Sequence, residues 1–423
     1  MPRHGDAARV LCCVIVIAAT AGPAMAAPLP SPVTTPGATA PAPLRTLAPP
    51  SGSPFDEVVG GVRLGTIGVP VVAAGVAPPP AIDAKAWLVA DAESGRVLAA
   101  LNPHVGLPPA STIKLLTAIA LLPEVDANAT YVVTDADVTV EGSRVGLVPG
   151  QRYSRDELIH GLLLASGNDA ANALAQLAEG QTRAVSLMVN EAERLGAYDT
   201  TATTTHGLDD PRQRTSAYDL ALIAREVLGD TELAAVTRTR TYNLPGLGAK
   251  TFQIQNHNRL LGSYAGTVGL KTGFTTLSGH TIVAAANRDG AQLVAVVLGT
   301  EDRAESAASA LLDWAFALPG DVAPIGQLVT PPEVAAAVQA RDRARSASAA
   351  AMQQDTTTHG SGGVQPATSR AAWVWPTGVL VAVLVAGLVA VLVAVLTGWR
   401  SRGRRRETSA AAARSGPRRV RRG

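Results

Sequence analysis

Three short stretches carry side chains able to do nucleophilic chemistry. In "STIK", Ser111 stands one helical turn before Lys114, so the two side chains share a face. A serine hydroxyl is a weak nucleophile until a neighbouring base takes its proton. A desolvated lysine can be that base, whereas arginine, permanently protonated, cannot. The chain holds only four lysines, at positions 85, 114, 250 and 271, among 36 Lys+Arg, so the type at 114 carries information. In "SGN", Ser166, Gly167 and Asn168 follow four apolar residues at a break between two helical patterns, where a polar tripeptide can face a cleft. In "KTG", Lys271, Thr272 and Gly273 fall at a strand edge, and Gly273 is expected to let a ligand backbone approach closely. Singly, Ser111 and Ser166 read as helix caps and Lys114 as a solvated lysine. The three stretches together, in this order, arise by chance in about one chain in a hundred or fewer, and they converge on a serine activated as a nucleophile. Lys85 and Lys250 read as solvated surface.

The elements that must position these groups follow from hydrophobic period. "KAWLVADAESGRVLAALNP" predicts a hairpin turning at Glu93-Ser94-Gly95. A helix opens near Ser111, and "SRDELIHGLLLA" begins with the capping box Ser154/Glu157. Further amphipathic helices end at Gly180, Gly196 and Gly229. The period then shortens to that of strands, the last two, "GHTIVAAAN" and "AQLVAVVLG", joined at Asp289-Gly290, and "RAESAASALLDWAFAL" closes with a helix. A hairpin, a helical block, antiparallel strands and a final helix make an α+β domain, expected over residues 81–319.

The ends differ from this middle. Residues 1–26 carry Arg3 and Arg9, an apolar run and Ala24-Met25-Ala26, the pattern of a cleaved secretory signal. Both cysteines, Cys12 and Cys13, lie inside it, which excludes a disulfide fold and a cysteine hydrolase. Residues 27–80, with thirteen prolines, predict an extended spacer, and residues 320–372 a second, low-complexity one. Residues 373–399 are apolar, free of charge and bounded by Trp373 and Trp399, the pattern of one C-terminal transmembrane helix. Ten arginines follow within residues 400–423, which predicts a cytoplasmic tail and an extracytoplasmic body, and no nucleic-acid partner is expected. Between Ala27 and Trp399 there are 24 Lys+Arg against 32 Asp+Glu, so the excess of positive charge comes from the ends.

The chemistry-bearing stretches and their surroundings, "PPASTIKLLTA", "GLLLASGNDAANALA", "HGLDD", "TSAYDLALIA" and "NRLLGSYAGTVGLKTGFT", resemble the serine D-alanyl-D-alanine carboxypeptidases, the low-molecular-mass penicillin-binding proteins. The resemblance runs from about Lys85 to Leu318. It implies a penicillin-binding-protein/β-lactamase-like domain: an antiparallel sheet flanked by helices, plus a helical subdomain. It implies peptidoglycan stem peptides as substrate and β-lactams as covalent inhibitors. Ser111 is then the nucleophile, Lys114 the general base and Ser166 a proton relay. Asn168, Lys271, Thr272 and Gly273 bind substrate, and the backbone N–H groups of Ser111 and Phe274 form the oxyanion hole.

No cofactor or metal is expected, since His160, His206, His257 and His280 show neither an H-E-x-x-H pattern nor a close pair and read as structural. Asn256 and Asn258 have no place that sequence alone assigns. A class A β-lactamase shares the three elements but needs a deacylating E-x-x-x-N loop, which is absent between the second and third. An endopeptidase or transpeptidase on the same fold, or a non-catalytic wall-binding module, are the competing readings.

Overall fold

The apolar runs "WLVA", "TIVAAA" and "LVAVVL" become central strands of one antiparallel sheet. The structure is a computed structural model and describes residues 45–358. Its seven-stranded sheet runs in the order Thr267–Thr275, Gly279–Arg288, Ala291–Thr300, Ala86–Asp91, Arg96–Leu101, Gly326–Gln327, with Val71–Val72 also pairing on Arg96–Leu101. Alternate residues point to opposite faces, and both faces are covered. Trp87, Val89, Ile282, Ala284, Leu293 and Val297 pack with Ala308, Leu311 and Leu312 of the helix Ala304–Phe316. Leu88, Ala90, Val283, Val294 and Val296 face the helical block. That double burial is why these strands read as continuous apolar runs.

The local signals behave as their chemistry requires. Asp289 and Gly290, both at positive φ (51° and 83°), turn the central hairpin in the sense that suits strand twist. Ser154 and Glu157 form their reciprocal cap on the helix Arg155–Leu163, and Gly196 ends Gln181–Leu195 in the left-handed conformation. Every residue of the helix Lys114–Leu121 is buried, which places it at the centre of the helical block.

Both expected spacers need correction where they are described. Within residues 45–80, Val58, Val59, Leu64 and Ala73 are buried, and Val71–Val72 is a strand of the main sheet. Gly60, at positive φ, lies so close to the Gln327 carbonyl and the Tyr218 ring that no Cβ fits. Within residues 320–358, Ile325, Leu328 and Val334 are buried, Gly326–Gln327 pairs with Arg96 and Val97, and Pro331–Thr358 is a helix. A few apolar residues in each segment close the far edge of the sheet. Contact density divides the chain after Ser346, and the domain described here lies before that point.

The expected signal (1–26), transmembrane segment (373–399) and arginine tail (400–423) lie outside the described residues. Among the described residues no helix is long and apolar enough to cross a membrane.

Candidate active site

The edge strand Thr267–Thr275 and the helical block leave a cleft of about 750 Å³ between them. Ser111, Ser166, Thr272, Gly273 and Phe274 line it. Ser111 sits in a single 3-10 turn, Ala110–Ile113, that runs into the helix Lys114–Leu121. Ala110, at φ 48°, bends the chain into the left-handed region just before the serine. Ser166 does the same at φ 59°. Such conformations cost of order 1 kcal/mol or more in a non-glycine residue and gather where side-chain placement matters.

Gly273 lines the cleft, and its missing side chain also makes room for the protein's own backbone. A Cβ there would stand 2.8 Å from the Ser111 main-chain nitrogen, 2.9 Å from Ala110 Cβ and 2.6 Å from Thr281 Oγ1. The glycine lets the strand press against the nucleophile's own turn. Thr281 Oγ1 reinforces the contact by donating to the Pro109 carbonyl (3.2 Å).

Lys114 is completely buried, and its Nζ lies 2.9 Å from Ser111 Oγ, 2.7 Å from Asn168 Oδ1 and 2.5 Å from the His206 carbonyl. Burial pushes its pKa well below the ordinary lysine value, the Lys271 charge pushes the same way, and Asp169 opposes them. A carboxamide oxygen and a carbonyl can only accept, so a neutral amine gives them its two protons and turns its lone pair to the serine hydroxyl. The arrangement can therefore deprotonate Ser111.

Asn168 opens the helix Asn168–Leu177 and is held from both ends: Nδ2 donates to Glu141 O (2.6 Å) and its main-chain N–H to Ser143 O (2.8 Å). The next residue, Asp169, was not read as functional from sequence. Its buried carboxylate accepts the N–H groups of Val145, Gly146 and Leu147 at 2.9, 2.9 and 3.1 Å, which fixes the loop forming one wall of the cleft. The available signal was an acidic residue in a helix's first turn.

On the opposite side, Lys271 lies behind the lining residue Thr272, 1 % exposed, and burial lowers its pKa to about 7. Its Nζ donates to Thr272 O (2.9 Å). Phe274 is exposed and its ring stands 4.6 Å from that of His280. Asn256, His257, Arg259 and Arg303 also line the cleft. Asn258 instead is buried, with Oδ1 accepting the Leu260 N–H.

The four histidines separate. His160 stacks on Tyr242 away from the cleft, whereas His257 and His280 line it and His206 supplies its carbonyl to Lys114. Burial and then Lys114 lower His206 to about 4; burial, then Lys271 and Lys114, lower His257.

Residues 73–302 match the family model of the S11 peptidases, described as D-alanyl-D-alanine carboxypeptidase. The carboxypeptidase DacB2 of Mycobacterium tuberculosis is 41% identical over 253 residues, which are 58% of this chain and 86% of that protein. The carboxypeptidase DacD of Escherichia coli is 36% identical over 252 residues, 56% of this chain; the match spans 64% of that protein's length, just under two thirds. Among solved structures, a D-alanyl-D-alanine carboxypeptidase from Mycobacterium tuberculosis superposes with a TM-score of 0.59 at 40% identity, covering 61% of this chain and 100% of the other. The Streptomyces K15 DD-transpeptidase superposes with a TM-score of 0.55 at 26% identity, covering 57% and 100%.

Proposed function

Since the chain belongs to the D-alanyl-D-alanine carboxypeptidase family, we propose that it removes the terminal D-Ala from peptidoglycan stem peptides through a serine acyl-enzyme, and that β-lactams acylate the same serine. The observation that carries this reading is the buried Lys114 amine set 2.9 Å from Ser111 Oγ between two obligate acceptors. Ser111 Oγ attacks the penultimate carbonyl carbon and its proton passes to Lys114 Nζ. The main-chain N–H groups of Ser111 and Phe274 receive the oxyanion. When the tetrahedral intermediate collapses, the carbon–nitrogen bond breaks and the leaving amine takes a proton relayed through Ser166. Asn168 holds the substrate amide, while Lys271 and Thr272, with Gly273 beside them, receive the terminal carboxylate. Water then attacks the ester, its proton returns to Ser111, and the shortened peptide departs.

The test is D-Ala release from a synthetic stem pentapeptide. Ser111→Ala and Lys114→Arg are each expected to lower it by at least about 10³-fold, and Ser111→Ala to abolish labelling by a fluorescent penicillin. Release that survives Ser111→Ala would sink the assignment. The likeness to a DD-transpeptidase keeps a second reading in view. Adding an amine acceptor and analysing the product's ends decides between transfer and hydrolysis.

In the same reading the catalytic domain lies outside the cytoplasm, delivered by a signal over residues 1–26 and held by a helix over residues 373–399. The supports are the small-x-small site at Ala24-Met25-Ala26, the charge-free run between Trp373 and Trp399, and the ten arginines behind it. Protease added to intact spheroplasts is expected to remove the domain and leave a membrane-bound C-terminal fragment. Full protection would place the domain inside.

A further inference from the structure

A second cluster of ionisable side chains lies outside the cleft. His104, Asp199 and Asp219 each bring one ligand-type atom within 4.8 Å of the other two. His104 follows the strand Arg96–Leu101, Asp199 follows the helix Gln181–Leu195, and Asp219 is in the first turn of Ala217–Gly229. The first and last are almost completely buried, and the Asp199 side chain is 13% exposed.

Two observations indicate what the cluster accommodates. His104 Nε2 lies 3.0 Å from the Val59 carbonyl, which can only accept, so that nitrogen carries a proton and the ring's orientation is fixed. Nδ1 then faces the two carboxylates, 2.7 Å from Asp199 Oδ2. A ring whose far N–H is held by a backbone carbonyl is how proteins present a histidine to a metal. Next, Asp219 is 1 % exposed, and while Oδ2 accepts from Thr200 Oγ1 at 2.7 Å, Oδ1 is buried with no hydrogen-bond partner. A buried carboxylate oxygen without a partner is costly.

We propose that His104, Asp199 and Asp219 bind one dication of the zinc class, against the expectation from sequence that the protein holds no metal. One imidazole and two carboxylates suit zinc, nickel or cobalt, whereas magnesium and calcium ask for six or more oxygens. Ligand atoms around a tetrahedral zinc stand roughly 3.4 Å apart, so the 2.7 Å pair has to open by under an ångström, and a water completes four-coordination. The ion would take the place of any proton between His104 and Asp199 and give Asp219 Oδ1 its partner. It would also tie His104, seven residues before Ser111, and through it the segment carrying Val59, to the helical block. The role is structural, and no step of acyl transfer passes through it.

The experiment uses the full chain in detergent, stripped with EDTA, dialysed against zinc chloride and passed through gel filtration. Elemental analysis is expected to find one zinc per chain, with a melting temperature about 5 °C above the stripped protein. Asp219→Asn and His104→Gln are expected to lose both the retained zinc and the shift. If those variants do not fold, Co(II) on the unmutated chain decides, through the intense visible bands of a four-coordinate N/O site. No zinc retained by the unmutated chain, equal retention by folded variants, or a six-coordinate Co(II) spectrum would each overturn the proposal.

Discussion

Two buried lysines lie just behind residues that line the cleft, Ser111 and Thr272, and the proposed mechanism asks opposite protonation states of them. Lys114 has to be neutral to take the Ser111 proton, and Lys271 has to be charged to hold a carboxylate. Burial lowers both, Lys271 to about 7, and the Lys271 charge pushes Lys114 further down while Asp169 opposes it. Because kcat/KM reports the free enzyme, its alkaline limb is expected near pH 7, as Lys271 loses its proton on rising pH. In kcat that limb moves upward, since a bound carboxylate retains the proton. Lys271→Arg is expected to erase the limb while lowering kcat/KM, because arginine stays charged. A kcat/KM that is flat from about pH 6 to about pH 9 in the unmutated enzyme would contradict this assignment. Ser111, Lys114 and Asn168, which meet at Lys114 Nζ (2.9 and 2.7 Å), were legible in the sequence because each is joined to the others through its own side chain. Asp169 and the His206 carbonyl were not, since they act on residues far along the chain or through the backbone, where side-chain type says little.

Among the elements, legibility followed length and period. The ten-residue strands Gly279–Arg288 and Ala291–Thr300 and the capped helix Arg155–Leu163 announce themselves. The two-residue strands Val71–Val72 and Gly326–Gln327 cannot, because no alternation shows in two residues and the surrounding prolines and alanines suggest a spacer. Leu64 is nonetheless fully buried in the principal core. Leu64→Ala is expected to cost about 2–5 kcal/mol, visible as a lowered urea midpoint. In a true spacer the change would stay within about 0.5 kcal/mol. An unchanged midpoint would restore the spacer reading.

At the scale of the whole domain, the cleft is the seam where the helical block meets the sheet edge, two layers that share one core behind it. The nucleophile, its base and the Ser166-Gly167-Asn168 turn belong to the helical block, while Lys271 and Thr272 belong to the sheet edge. The helical block was legible as a block and the sheet as a sheet, but their meeting line was not, since it depends on Gly273 fitting against the Ser111 turn. Side-chain hydrogen bonds cross the seam from Thr281 to the Pro109 carbonyl and from Thr275 to Asp209 (3.2 and 2.6 Å). In the proposed function, the acyl group that a penicillin leaves on Ser111 keeps its carboxylate for Lys271, so it adds a covalent rivet to one side and an ionic one to the other. Amide hydrogen exchange along Thr267–Thr275 and the loop Ser143–Leu147 is expected to slow at least about tenfold in the penicillin-acylated protein, with the far edge near Gly326 unaffected. Equal slowing everywhere would mean that the two layers already open as one unit. The inhibitor would then act as a mechanical fastener as well as a blocker, and its lifetime on the serine would set how long the two layers stay locked.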